Sequence, residues 1–277
     1  MALGDYVYRS GTAVPCGINA DDADNSPERF TTPVEGPFPG DGWNQWIGHD
    51  LSDWWLSDIP IETVTIPVSD DVALEAWWIK ASYPTAQETV IVTHGYGTSR
   101  RDYNALLPSS MLATEGFNVL LVDQRDTGNS TCVDGRHSAG QDESDDFARV
   151  AEWLVAEKGI TPDKIGMFGV SGGAIATAIL PAKTDNVSAF AMEAPIFDFA
   201  GQLVARWSSR VFRDSSGVSR TQQRCSVGWT STRPRFRRES TPLTTGLSCF
   251  SMALTISAWP TRVRSSFVTT PRTPVSR

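Results

Sequence analysis

Hydrophobic and polar residues change rhythm several times along the chain. Residues 1–58 show little periodicity and are rich in Pro, Gly, Asp and Trp. They predict an irregular lead-in that wraps the domain, with the tryptophans of "WNQWIGHDLSDWWL" packed onto it. Alternation begins in "IETVTIPVSDDVALEAWWIK", where two β-rich runs flank Ser69-Asp70-Asp71 and predict a hairpin. "ETVIVTHGYG" is a short, apolar, β-branched run ending in a glycine loop, as expected of a strand covered on both faces. A helix is predicted from Asp102 to Glu115, weakened by Pro108, and "FNVLLVD" is the next buried strand. The loop "QRDTGNSTCVDGRH" leads into a helix over "DESDDFARVAEWLVAEKG". Its Phe147, Val150, Ala151, Leu154 and Val155 share one face, and Gly159 suits its stop. "KIGMFGV", "GGAIATAILPA" and "VSAFAMEAP" read as strand, helix and strand.

Strands alternating with helices after an antiparallel opening predict a mostly parallel α/β sheet. Ligands bind such sheets at the carboxyl ends of the strands, where Ser171, the His94-Gly95-Tyr96-Gly97 turn and the Asp123–Arg125 turn all fall. Ser171 stands between a strand and a helix in "GVSGG". A serine hydroxyl becomes a nucleophile only when it is held exposed beside a base. A sharp strand-to-helix turn provides the exposure but crowds the backbone, so small residues must flank it. Gly169, Gly172 and Gly173 meet that need. The Gly172 N–H, at the helix start, and the Tyr96 N–H, in the upstream loop, are the candidate oxyanion donors. His94 is expected to buttress that loop and Arg125 to organise its neighbour by ion pairing. Asp145 and Asp146 are expected to be solvated or to cap the helix.

Residues 59–200 resemble the N-terminal half of an α/β-hydrolase, in the serine-aminopeptidase-like and Bem46-like esterase branch. The resemblance rests on "LEAWWI", "VTHGYGTSRRD", "GFNVLLVDQRDTGNS" and "IGMFGVSGGA". It implies the α/β-hydrolase fold, incomplete at its C-terminal side, with Ser171 as nucleophile. Tyr96 and Gly172 become the oxyanion hole, and Gly169 and Gly173 the elbow glycines. No metal or other cofactor is implied, and the expected partner is a small-molecule ester or peptide. Relatives usually carry Gly where Asp126 follows Arg125. In this fold the triad runs Ser, then Asp or Glu, then His. After Ser171 the chain has five acids (Asp185, Glu193, Asp198, Asp214, Glu239) and no histidine.

Charge divides the chain. Residues 210–277 hold twelve arginines, no lysine and two acids, a local charge of +10, against −18 for residues 1–209. A nucleic-acid-binding arm is one reading, but the tail lacks aromatic interleaving or a basic helical stripe, so no nucleic-acid partner is expected. No apolar run reaches the ~20 residues needed to span a bilayer. The first thirty residues have neither a basic start nor an apolar stretch, so no signal peptide is expected and a cytoplasmic location is the default. Cys16, Cys132, Cys225 and Cys249 form neither a zinc pattern nor a disulfide framework, and His49, His94 and His137 are too dispersed for a metal site.

In the tail, 35 of 68 residues are Ser, Thr or Arg, with neither strand nor helix period. GC-rich coding DNA read out of frame gives such a composition. Codons can be chosen for "FSMALTISAWP" that, regrouped by one base, spell Leu-His-Gly-Thr-Asp-Asp-Leu-Arg-Val-Ala, with the Gly and final Ala forced by the code. That resembles the stretch carrying the triad aspartate in these hydrolases. In the same frame "TTGLSCF" can give His-Asp-Gly-Pro-Val-Leu-Leu, and "TTPRTPVS" can give His-Tyr-Ala-Glu-Asn-Ala-Gly-Val. Three domains of character are therefore expected: the lead-in 1–58, a hydrolase core 59–209, and an out-of-frame, disordered tail 210–277. The expected cause is one frameshift around residues 205–230, with the triad histidine coded beyond residue 277. The nucleotide sequence is expected to carry the Asp-Asp segment in a shifted frame, and an open frame without it overturns this reading.

Overall fold

The computed structural model describes residues 3–20, 24–32, 46, 48–81 and 87–195. The expected tail, 210–277, lies outside the described residues. The structure has one mixed sheet of six strands in the order β1-β2-β4-β3-β5-β6. The expected hairpin is β1 (Ile61–Pro67) and β2 (Ala73–Ile79), and β2 also pairs antiparallel with β4 (Asn118–Val122). Strands β4, β3 (Thr89–Thr93), β5 (Ile165–Val170) and β6 (Ala189–Glu193) run parallel. This is the mostly parallel α/β arrangement that the pattern predicts.

Period-two alternation assigns each strand residue to one of two cores. Ala76, Trp78, Leu120, Val122, Ile165 and Met167 face α3 (Gln141–Lys158) and α4 (Gly172–Ile179). Trp77, Ile79, Val119, Leu121, Val90 and Val92 face α2 (Tyr103–Thr114), with Phe30, Leu51 and Leu56 from the lead-in beside them. Helix α2 contains Pro108 and starts at Asp102, whose carboxylate accepts from the Asn104 N–H at 2.9 Å. Helix α3 stops at Gly159, whose φ of 66° lies in the left-handed region. Trp55, one of the lead-in tryptophans, donates from Nε1 to the Phe30 carbonyl at 2.7 Å.

The lead-in departs from the expected irregularity at α1 (Leu3–Thr12), a ten-residue helix. The segment after it lies along the β4–α3 loop. Val14 N–H donates to Gly135 O and His137 N–H to Thr12 O, each at 2.8 Å, and Gly128 N–H donates to Ile18 O at 3.2 Å. Contrary to the expected cysteine pattern, Cys16 and Cys132 form a disulfide across a sequence separation of 116; Cys225 and Cys249 lie outside the described residues. Of the side chains from Tyr8 to Ala20, only Thr12 and Val14 are buried. Ordering each backbone residue costs about 1–2 kcal/mol, and one buried valine returns about 1.5–3 kcal/mol. The covalent link is therefore a principal reason that residues 8–20 stay docked.

At the carboxyl edge of β4, Arg100 and Asp123, each 1% exposed, form a buried ion pair. Asp123 Oδ2 accepts from the Arg100 guanidinium at 2.7 Å and Oδ1 from the Arg100 backbone N–H at 2.6 Å. The guanidinium also donates to Glu75 and lies 4.6 Å over the Trp77 ring. Breaking a buried pair by removing one partner strands the other charge. Arg100→Leu is expected to lower unfolding free energy by about 3–5 kcal/mol in urea titrations at pH 7; a midpoint unchanged from the parent would count against this assignment.

Candidate functional site

Strand β5 and helix α4 meet at Ser171, which takes φ 49° and ψ −107°. A non-glycine residue with positive φ is strained, and such strain clusters at functional turns. The flanking glycines are sterically required. A Cβ on Gly169 would overlap Thr177 and the Gly173 backbone; on Gly173 it would stand 2.5 Å from the His94 carbonyl oxygen. A Cβ on Gly172 would stand 2.7 Å from the Tyr96 nitrogen. The turn is thus pressed against the His94–Gly97 loop, and Ser171, Gly172 and Tyr96, expected to work together, are neighbours. The Ser171 N–H donates to the Glu193 carbonyl at 2.8 Å, which fastens the turn to the end of β6. Among the described residues, the Ser171 hydroxyl has no hydrogen-bond partner.

A cavity of about 240 Å³ opens over the turn, lined by Asn104, Val170, Ser171, Glu193 and Ala194. Glu193 has no motif to announce it; only the register of β6 beside β5, with Glu193 opposite Val170, brings it to the turn. Partial desolvation of this solvent-exposed side chain, and after it the charge of Asp102, raises its carboxyl above the usual range. Ala194, the next residue, also has a positive φ, 48°.

His94 is 1% exposed and makes the buttress expected of it. Its Nε2 accepts from the Gln124 backbone N–H at 3.1 Å, so Nδ1 carries the proton and donates to Gly95 O at 2.8 Å. Gln124, which no motif singles out, donates from Nε2 to Thr93 Oγ1 and His94 O. Burial lowers the His94 pKa to about 4, keeping the ring neutral. Histidine contacts elsewhere are with Glu143 and Tyr96 for His137, and with Trp46 for His49. Arg125 forms the expected ion pair, but its partner corrects the reading of the acidic pair. Asp146, 4% exposed, takes the guanidinium through two hydrogen bonds of 2.7 and 2.6 Å. Helical spacing places Asp146 in line with Val150 and Leu154, and that stripe was the available signal. Asp145 is exposed and pairs with Lys183, while the helix start is capped by Glu143, which accepts from the Gly140 and Ser138 N–H groups.

Among the described residues, one group offers three metal-ligand atoms within 4.8 Å of one another: Cys16, Asp126 and Cys132. The two sulfurs are joined in the disulfide, which leaves only the Asp126 carboxylate as a donor. Its Oδ1 accepts from the N–H groups of Val133, Asp134 and Gly135, so among the described residues this group offers one free carboxylate oxygen and no set of ligands. Asp126 itself has φ 66°, a conformation that explains the glycine usual there. No helix of the described residues is long and apolar enough to cross a membrane.

The family model described as serine aminopeptidase, S33, matches residues 84–252. The human protein ABHD12B is 29% identical over 148 residues, which cover 52% of this chain and 39% of ABHD12B. The Pyrococcus furiosus esterase Pf2001 is similar in structure, with a TM-score of 0.47 and 26% identity over 68% of this chain and 63% of that one. The α/β hydrolase GrgF from Penicillium sp. sh18 gives a TM-score of 0.45 at 21% identity, over 56% of this chain and 55% of that one. The chain spans less than two thirds of the length of each.

Neutral, buried His94 sets a pH dependence. Its folded pKa of about 4 lies below the ordinary 6.5, so below pH 6.5 the unfolded chain binds more protons than the folded one. Stability is then full above pH 6.5 and falls as pH drops towards 4, by roughly 3 kcal/mol in all. His137, lowered in the same direction by burial, adds to this limb. Urea midpoints of His94→Gln at pH 7 and pH 5 are expected to differ by about one proton's linkage less than the parent's.

Proposed function

Because the chain belongs to the serine aminopeptidase S33 family of α/β-hydrolases, we propose that its site is that of a serine hydrolase of small-molecule ester or peptide bonds. Ser171 is the nucleophile: its hydroxyl attacks the carbonyl carbon and forms an acyl-enzyme once a base takes the proton. The Tyr96 and Gly172 N–H groups receive the oxyanion. The observation that carries this reading is the positive φ of Ser171, held by glycines that tolerate no side chain. The chain as written is inactive in this proposal. It has no histidine after Ser171, and His94 is buried, neutral and committed to the Gly95 carbonyl and the Gln124 N–H. The residue that would serve as triad Asp is out of frame in this reading.

A second reading has one observation in its favour. The family match continues to residue 252, which suits a non-catalytic α/β-hydrolase whose tail is genuine. Restoring the frame separates the two. The repaired protein is expected to hydrolyse p-nitrophenyl acetate and to label with a fluorophosphonate, and Ser171→Ala is expected to lower hydrolysis by at least about 10³-fold. A folded, repaired protein that neither labels nor hydrolyses supports the second reading and overturns the first.

A further inference from the structure

The oxyanion-loop residue Tyr96 is held from outside the sheet. Its hydroxyl proton is shared between the Gly11 and Ala13 carbonyls, at 2.9 and 2.7 Å, where α1 passes into the extended segment. Its ring packs edge-on against His137, with centroids 5.5 Å apart, and the His137 N–H in turn holds Thr12 O. The segment carrying these acceptors has few buried side chains, and the Cys16–Cys132 bond lies within it, between Val14 and Ile18. Both cysteines are exposed, so a soluble thiol can reach them. A covalent bond open to reductant thus holds the segment that holds Tyr96.

We propose that Cys16–Cys132 is a reversible thiol–disulfide modification site that positions the oxyanion loop: the oxidised chain clamps Tyr96, and the reduced chain releases it. A dithiol such as dithiothreitol opens the bond in two exchanges. One reagent thiolate attacks a cysteine sulfur, the protein S–S bond breaks, and a mixed disulfide forms. The second reagent thiolate then displaces that sulfur and closes the cyclic oxidised reagent. Two electrons pass to the protein, and the reagent's two protons end on Cys16 and Cys132. On release, the Tyr96 hydroxyl loses its two carbonyl acceptors and its loop gains freedom next to Gly172. Cys16, Cys132 and the Tyr96 hydroxyl are positioning groups. The catalytic consequence rests on the proposed role of the Tyr96 N–H, whereas the mechanical coupling does not.

Hydrogen–deuterium exchange on the full chain, before and after dithiothreitol, tests the coupling. Reduction is expected to speed exchange about tenfold in peptides covering 8–20 and 94–98, and to leave the β5 peptide 165–170 unchanged. Cys16→Ser is expected to behave as reduced under both conditions. Tyr96→Phe is expected to exchange fast over 94–98 in both, with less than about a twofold response to reductant. The proposal is overturned if 8–20 accelerates while 94–98 does not, if 165–170 accelerates equally, or if both cysteines alkylate without reductant. In the frame-repaired protein, reduction is expected to slow fluorophosphonate labelling about tenfold. Coupled exchange with no labelling in either state would sink the nucleophile reading and leave the redox coupling standing.

Discussion

The buried Arg100–Asp123 ion pair ties the loop after β3 to the edge where β4 and β2 already pair. Asp123 directly follows β4, Glu75 belongs to β2, and Arg100 closes the loop that leaves β3. The Asn129 N–H adds a fourth element by donating to Asp123 Oδ2 at 3.0 Å. A Cβ on Gly128 would overlap that carboxylate, so even the loop after β4 is shaped to it. Separating any of these elements strands a charge out of water, and that penalty makes the edge cooperative. The His94–Arg100 loop is consequently fixed at both ends, by the buried imidazole at one and the guanidinium at the other. Tyr96 sits between those two fixed points.

The second constraint is steric. Turning the chain through Ser171 directly against the β3 loop leaves no room for a side chain at Gly169, Gly172 or Gly173. The same crowding that forbids larger residues brings Gly172 within van der Waals reach of Tyr96. Backbone strain at Ser171 and close approach at Gly172 are therefore two aspects of one packing requirement, and the hydrogen bond from Ser171 N–H to Glu193 O extends it to the neighbouring strand.

What could be read from the residues alone was whatever leaves a local imprint. Buried parallel strands such as "TVIVT" and "NVLLV" are continuous apolar runs, the hairpin alternates, and the turn at Ser171 demands small residues at fixed offsets. Each lies within a window of a few residues. The disulfide leaves no such imprint, because Cys16 and Cys132 are 116 residues apart and neither belongs to a paired spacing. Arg100, Asp123 and Asp146 look like ordinary surface charges until the fold buries them. Asp146 was the exception that could have been caught, since an acid on the Val150 and Leu154 stripe must have a partner. Glu193 reaches the cavity through strand register, which no single segment encodes. The helix α1 opens a stretch whose glycines, prolines and acids hide it.

The bond between Cys16 and Cys132 also changes the topology of the molecule. It closes β1, β2, β3, α2 and β4 into one covalent ring, while Ser171 lies on the thread that leaves it. Tyr96 lies within that ring and the Ser171 turn packed against its loop lies outside it. A protease cutting anywhere between the two cysteines opens the ring without detaching a fragment. One cutting between Cys132 and Ser171 severs the serine's half from the ring, with only non-covalent contacts left to join them.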